Sequence, residues 1–382
     1  MSKFHQLIDP FPRGSSAFRL CSWDNRSAVR SFILLLIIAS TVSVDAVGTH
    51  GVARGSTLDW AEILYDGDSA VPIPVIVAGD PAGSPPDSPD LRVDPNVPSS
   101  PFAGVGSIEI FRPGIGRFIC TGTALSRYHI LTAGHCVDFI ADGVIDVDPA
   151  NLTFHLNQNG PLSSNVGISQ IHLHPDFTGF NNPTLHDDLA ILTLSAPLPA
   201  DMPIYPLLDT EITNGTTFTM VGYGRSGDGI TGSTIPPSFS VKRVGYNNAD
   251  RRRFQDESPP LVREIFDFDF DGPSGTGSMG GPTLGNNIEA NLGGGDSGGP
   301  SFVFSNGQHY LAGVNTFQLG GGSIPEAPLF GSRGGGMLIH PYRAWIQGII
   351  VPEPGTGALV LGAVILSIGR GRRRARRQTT EK

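Results

Sequence analysis

GGGDSGGP, residues 293–300, is the stretch on which the reading of this chain turns. Glycine enters backbone conformations closed to residues with a Cβ, so this run can turn tightly. Such a turn projects Ser297 while neighbouring amides converge. A projecting serine becomes a nucleophile only when a base takes its proton, a carboxylate orients that base and N–H donors receive the oxyanion. The amides of Gly295 and Ser297 are the natural oxyanion donors. One donor of this kind typically contributes about 3–4 kcal/mol to the transition state.

The other parts of that chemistry lie upstream. ILTAGHC, residues 130–136, reads as a strand ending in a small-residue turn that presents His135. HDDLAILTL, residues 186–194, sets an acidic pair at the mouth of an apolar strand. Asp188, next to the apolar run, is the expected orienting carboxylate, and Asp187 its solvated neighbour. The flanking texture is uniform: GVGSIEIF, FICTGTAL, LTFHL, ISQIHLH, FTMVGYG, SFVF and YLAGVNTF are short apolar runs bounded by Gly, Asn, Asp and Pro. Many short strands with regular turn signals predict an all-β barrel or sandwich. With 50 Gly, 32 Pro and only 16% charged residues, the composition agrees. The one helical stretch expected in the body is 341–350, and no internal repeat is visible.

TAGHC, DLAIL and GDSGGP, in that order, resemble the three signature blocks of the trypsin and chymotrypsin family of serine proteases. CTGTALSRYHILTAGHC, IHLHPDF, MVGYG, GVNTF and PYRAWI are similar to further segments of it, so the likeness spans about residues 93–350. The resemblance implies two six-stranded antiparallel β-barrels with a short C-terminal helix, and a site in the cleft between the barrels. It implies a catalytic triad of His135, Asp188 and Ser297 that cleaves polypeptide substrates without a cofactor. It also implies that a newly cut N-terminus pairs with Asp296. Val93 after Arg92 has the usual spacing to Cys120 and is the preferred candidate, with Ile76 of IVAG as the second. Asn291 stands at the base of the primary specificity pocket, where an acid would favour Arg or Lys. Thr316 and Phe317 match the strand that pairs with substrate, and Gln318 stands where a Gly often keeps the pocket open. No strong preference for basic side chains is expected.

Two other readings compete. GDSGG also fits the G-x-S-x-G elbow of α/β-hydrolase esterases, but that fold orders its triad Ser, acid, His. After Ser297 only Glu326 and His340 could serve, and the alternation of strands with helices is missing. A surface-displayed binding or adhesion protein on a protease scaffold is the second, and an intact triad argues against it.

The two ends read as sorting signals. Five basic residues precede the apolar run 32–38, and small residues end at Ala46, which predicts a secretory signal peptide over 1–46. Residues 47–92, rich in Pro, Gly, Asp and Ser, read as a pro-segment or linker. At the far end, VPEP at 351–354, an apolar run 355–369 and an Arg cluster 370–377 resemble the PEP-CTERM sorting signal of bacterial envelope proteins. That likeness implies signal peptidase and an exosortase-type enzyme as processing partners, transient membrane association and an exported protease domain. A retained anchor is the simpler alternative at either end. Residues 47–351 hold 14 Lys and Arg against 30 Asp and Glu, a net of −16. That charge argues against nucleic-acid binding.

Of three cysteines, Cys21 falls in the signal segment, leaving Cys120 and Cys136 as one candidate disulfide or two free thiols. No metal site is expected in the catalytic machinery. Calcium is a minor candidate at Asp267, Asp269 and Asp271, whose loop has Ser278 where a calcium loop has Glu, and at Asp142, Asp146 and Asp148. The first set reads equally well as a strand meeting Arg251 to Arg253. His172 and His174, two apart on a strand, read as structural.

Overall fold

The computed structural model describes residues 76–140, 142–179, 186–253, 262–275, 277–319 and 328–351. The signal segment 1–46 and nearly all of the sorting segment lie outside these residues.

Two short strands come first, β1 (Ile76–Ala78) and β2 (Val93–Asp94). Six follow: β3 (Val105–Arg112), β4 (Gly116–Ala124), β5 (His129–Thr132), β6 (Leu152–Leu156), β7 (Ser164–Leu173) and β8 (Ala190–Leu194). They close into an antiparallel barrel in the order β3-β4-β5-β8-β7-β6. Alternation along the strands turns Ile108, Ile110, Phe118, Ile130, Phe154 and Leu192 into the core, where each is buried. Burying a side chain of this size contributes about 1.5–3 kcal/mol.

The second half contains β9 (Thr216–Gly222), β10 (Ser226–Asp228), β11 (Gly232–Ile235), β12 (Lys242–Ala249), β13 (Arg251–Arg253), β14 (Ile265–Asp269), β15 (Pro300–Ser305), β16 (Gln308–Leu319) and β17 (Arg333–Leu338). Its hydrogen bonds describe an eight-stranded sheet, β13-β14-β17-β16-β15-β9-β12-β2, rather than a second closed ladder. The sheet nevertheless curls: Asn247 of β12 donates from Nδ2 to the Asp269 carbonyl of β14, three strands beyond β9's other neighbour. Helix α1 (Ile339–Ile350) ends the fold, with Pro341 in its first turn, where a missing N–H leaves no bond unmade.

Residues 76–92 depart from the linker reading. β1 is buried and pairs in parallel with β10, and Arg92 is buried against Asp87 while donating to the carbonyls of Ile288 and Glu289. Proline and glycine made this segment look unstructured, yet it is tied down by long-range hydrogen bonds rather than by apolar periodicity.

Candidate active site

His135 sits in a 3-10 turn, Gly134–Cys136, just beyond β5. Its ring Nδ1 lies 2.8 Å from Asp188 Oδ2, and its backbone N–H donates to Asp188 Oδ1 at 2.8 Å. One residue thereby engages both carboxylate oxygens, and a carboxylate in that position selects the Nδ1–H tautomer. Both residues are buried, and a disulfide from Cys136 to Cys120 ties the turn to β4.

Asp187 is not the solvated neighbour its sequence position suggested. It is 1% exposed, with a φ of +59°. Tyr342 of α1 donates to it at 2.9 Å, His186 Nδ1 bonds its other oxygen, and His174 Nδ1 lies 3.8 Å away. An Asp can adopt this left-handed backbone at modest cost, and here the closing helix holds it. No pattern in the sequence linked Asp187 to Tyr342, 155 residues downstream.

Ser297 is brought to the same place by Thr121 of β4. The Thr121 N–H donates to the Ser297 carbonyl at 2.8 Å, and its hydroxyl donates to the Gly295 carbonyl at 2.9 Å. The hydroxyl also accepts from the Tyr223 N–H at 3.1 Å. Cys136 Sγ stands 3.9 Å from the Ser297 carbonyl, so the serine lies beside the residue next to His135. Gly298 has a φ of +81°, and a Cβ there would fall 2.0 Å from the Thr132 hydroxyl, which explains why the turn needs glycine. Thr121 was missed by the sequence reading because CTGT carries no signal beyond that of an ordinary strand.

A family model described as Trypsin matches residues 98–345. The chain belongs to the trypsin family. Chymotrypsin-like elastase family member 1 of Rattus norvegicus is 22% identical over 250 residues, covering 64% of this chain and 83% of the relative. The Bos taurus protein of the same name is 25% identical over 237 residues, covering 60% and 78%. Serine proteinase stubble of Drosophila melanogaster is 26% identical over 206 residues, covering 53% of this chain and 24% of its own length. As a trypsin-family protein the chain is a serine-type endopeptidase, a hydrolase of peptide bonds.

Beside Ser297 this trypsin-family fold has a small pocket lined by Leu292, Gly293, Gly294, Asn315, Thr316, Phe317 and Gln318. No acidic residue lines it. Asn291 is buried but not among the lining residues: its Nδ2 donates to Ser332 Oγ at 2.7 Å and its Oδ1 accepts from the Leu292 N–H. The sequence reading found Thr316, Phe317 and Gln318 but not Leu292 or Asn315.

Asp296 is fully buried. Its oxygens accept from the N–H groups of Gly224 and Gly293 at 2.9 and 2.8 Å. Burial pushes its carboxyl up to about 7, with those two amides and the charge of Arg243 acting against the rise. Val93, its expected partner by resemblance, lies on β2 opposite Arg243 with 42% of its surface exposed. Ile76 is instead wholly buried, and Val77 exchanges backbone hydrogen bonds with Asn291 at 3.1 and 3.2 Å.

Among the described residues no group of three His, Cys, Asp or Glu is arranged to hold a metal ion. Asp267 is paired with Arg251 and Arg253, as the strand reading expected. Asp146 accepts from the Ile140 N–H and Asp142 from the Val144 N–H, so their loop is organised by its own amides. His172 bonds Thr193, and His174 packs edge-on against Tyr342 and Trp345.

Proposed function

We propose that His135, Asp188 and Ser297 form the catalytic triad of an exported endopeptidase. Ser297 Oγ attacks the scissile carbonyl as His135 takes its proton at Nε2. Asp188 keeps the ring in the Nδ1–H tautomer and stabilises the imidazolium. The N–H groups of Gly295 and Ser297 receive the oxyanion, collapse gives an acyl-enzyme, and His135 protonates the departing amine. Water then repeats the sequence on the ester. The observation that carries this reading is the two-point hold of Asp188 on His135 beside a serine loop clamped by Thr121. Labelling of processed protein by a fluorophosphonate, lost in Ser297→Ala, tests it. Processed protein that fails to label would favour the binding-protein alternative.

The pocket supports a substrate side chain that is uncharged. Leu292 and Phe317 offer apolar wall and no carboxylate faces a basic group. A peptide library is expected to show apolar or small residues before the cut, and fast selective cleavage after Arg would overturn this. We also read the curled eight-stranded sheet, with its Asn247 bridge, as the family's second barrel.

For activation, the support favours Ile76 over Val93. Cleavage after Arg92 would have to reach a residue whose guanidinium is buried. Ile76 has a φ of +67°, a strained value for a β-branched residue, and cutting the bond before it removes that constraint. N-terminal sequencing of active protein should return IVAG; VDPN would restore the other site. The signal peptide, pro-segment and PEP-CTERM readings of the two ends complete the proposal, with export to the bacterial cell envelope, and among the described residues no helix is long and apolar enough to cross a membrane.

A further inference from the structure

Asp296 is the carboxylate on which the Ser297 loop rests, and a buried carboxylate with no positive charge nearby is costly. Its oxygens are met by two neutral amides. A cation lies one strand away. Arg243 of β12 is wholly buried and stands directly opposite Gly222 of β9 in the antiparallel ladder. Opposed residues in such a ladder direct their Cβ positions to the same face, about 5 Å apart. The Cβ position of Gly222 lies 2.0 Å from Asp296 Oδ1. The stem of Arg243 therefore leaves the sheet on the face where the Asp296 carboxylate lies, and Gly222 is small enough to let the carboxylate in.

The guanidinium is not claimed by a strong partner. Nε donates to the Pro89 carbonyl, while Nη1 and Nη2 are buried with no hydrogen-bond partner. The nearest carboxylate to Nη2 is that of Asp90, 3.8 Å away and 88% exposed, so solvent screens that pair. A fully buried arginine with two idle nitrogens is expensive to keep unless its charge is used.

We propose that Arg243 supplies from within the fold the positive charge that Asp296 requires, so that the Ser297 loop is set before any N-terminus is released. It is a positioning residue, acting on Ser297 and Gly295 through Asp296. The unprocessed chain then has activity of its own, and cleavage adds a second cation rather than switching on a dead enzyme. This inference rests on the triad and activation readings above.

The test uses a Val75→Arg background, which lets an added Arg-specific protease cut ahead of Ile76, so one preparation gives uncut and cut forms. Fluorophosphonate labelling rates are measured for both. The uncut form should label within about tenfold of the cut form. Arg243→Met should slow the uncut form at least about tenfold and the cut form less than about threefold, and Arg243→Lys should restore most of the uncut rate. Equal slowing of both forms by Arg243→Met, without rescue by Lys, would make Arg243 merely structural and overturn the inference. An uncut form that does not label while the cut form does would also overturn it. Failure of the cut form itself would instead sink the catalytic reading.

Discussion

Asp188 and Asp296 are both fully buried carboxylates beside the proposed reacting groups, and they are held in opposite ways. Asp188 is gripped at both oxygens by His135, a residue on the same closed barrel and stapled to it by the Cys120–Cys136 disulfide. Asp296 is held by two amides of its own half and, on the inference drawn above, depends on charges brought from elsewhere. The barrel side of the site is built in; the sheet side is conditional. Regulation belongs on the conditional side, because a carboxylate short of charge can be completed by whatever arrives.

The largest effect should come from attacking the built-in side. Asp188→Asn keeps the size of the group but can donate where the histidine ring now donates, which inverts the tautomer. Peptidase kcat should fall about 10⁴-fold with little change in KM. A loss below tenfold would mean that the hold on His135 is decorative. Removing the staple by the double substitution Cys120→Ser and Cys136→Ser should cost about 3 kcal/mol, seen as a fall in melting temperature of roughly 6–12 °C. If the staple serves mainly to present His135, residual activity at low temperature should fall as well.

Thr121→Val probes the join between the two sides. Valine keeps the shape, but the Gly295 carbonyl loses a donor and the buried Tyr223 N–H loses its acceptor. An orphaned buried group of this kind costs about 1–3 kcal/mol. Part of that cost should appear as a drop of about tenfold in kcat, since the hydroxyl is tied to Gly295, whose amide we propose receives the oxyanion. A purely structural role would lower the melting temperature and leave kcat intact.

The same asymmetry governs what the sequence disclosed. On the barrel side the alternation of β3 to β8 was plain in runs such as SIEIF and LAILTL, and His135 and Asp188 stood at the ends of those runs. Ser297 was legible because its glycines are demanded by close approach. The second half was less so. β17 contains Gly334, Gly335 and Gly336, and no hydrophobic period marks it as a strand. Its glycines make room for neighbours: a Cβ on Gly335 would lie 2.4 Å from Phe317, and one on Gly336 would lie 1.8 Å from the Val314 carbonyl. Such requirements depend on what the fold brings close. The meetings of Asp187 with Tyr342, Asp296 with Gly224 and Arg243 with Pro89 were hidden for the same reason, since each spans a long separation and nothing in the sequence links the two residues.

A third group of carboxylates extends the comparison to its limit. Asp250, Asp269 and Asp271 interact with one another, whereas Asp267, which shares β14 with Asp269, is paired with Arg251 and Arg253. Burial, only partly offset by the Asp269 N–H, pushes the Asp250 carboxyl up to about 7, with the neighbouring Asp269 and Asp271 adding to the rise. In the unfolded chain Asp250 gives up its proton near its ordinary value of 3.8, whereas the folded chain keeps it until about 7. Between those values the folded state binds more protons, so this group favours folding fully below about pH 4 and loses that contribution as pH rises through 7. Denaturant midpoints should therefore decline across this window. Asp250→Asn removes the titration, and its midpoint should decline less between about pH 4.5 and pH 7.5 than that of the parent. Asp296 titrates in the same direction, so the slope should shrink rather than vanish. Identical slopes in the two proteins would mean that Asp250 is ionised throughout, and the contrast would then rest on Asp188 and Asp296 alone.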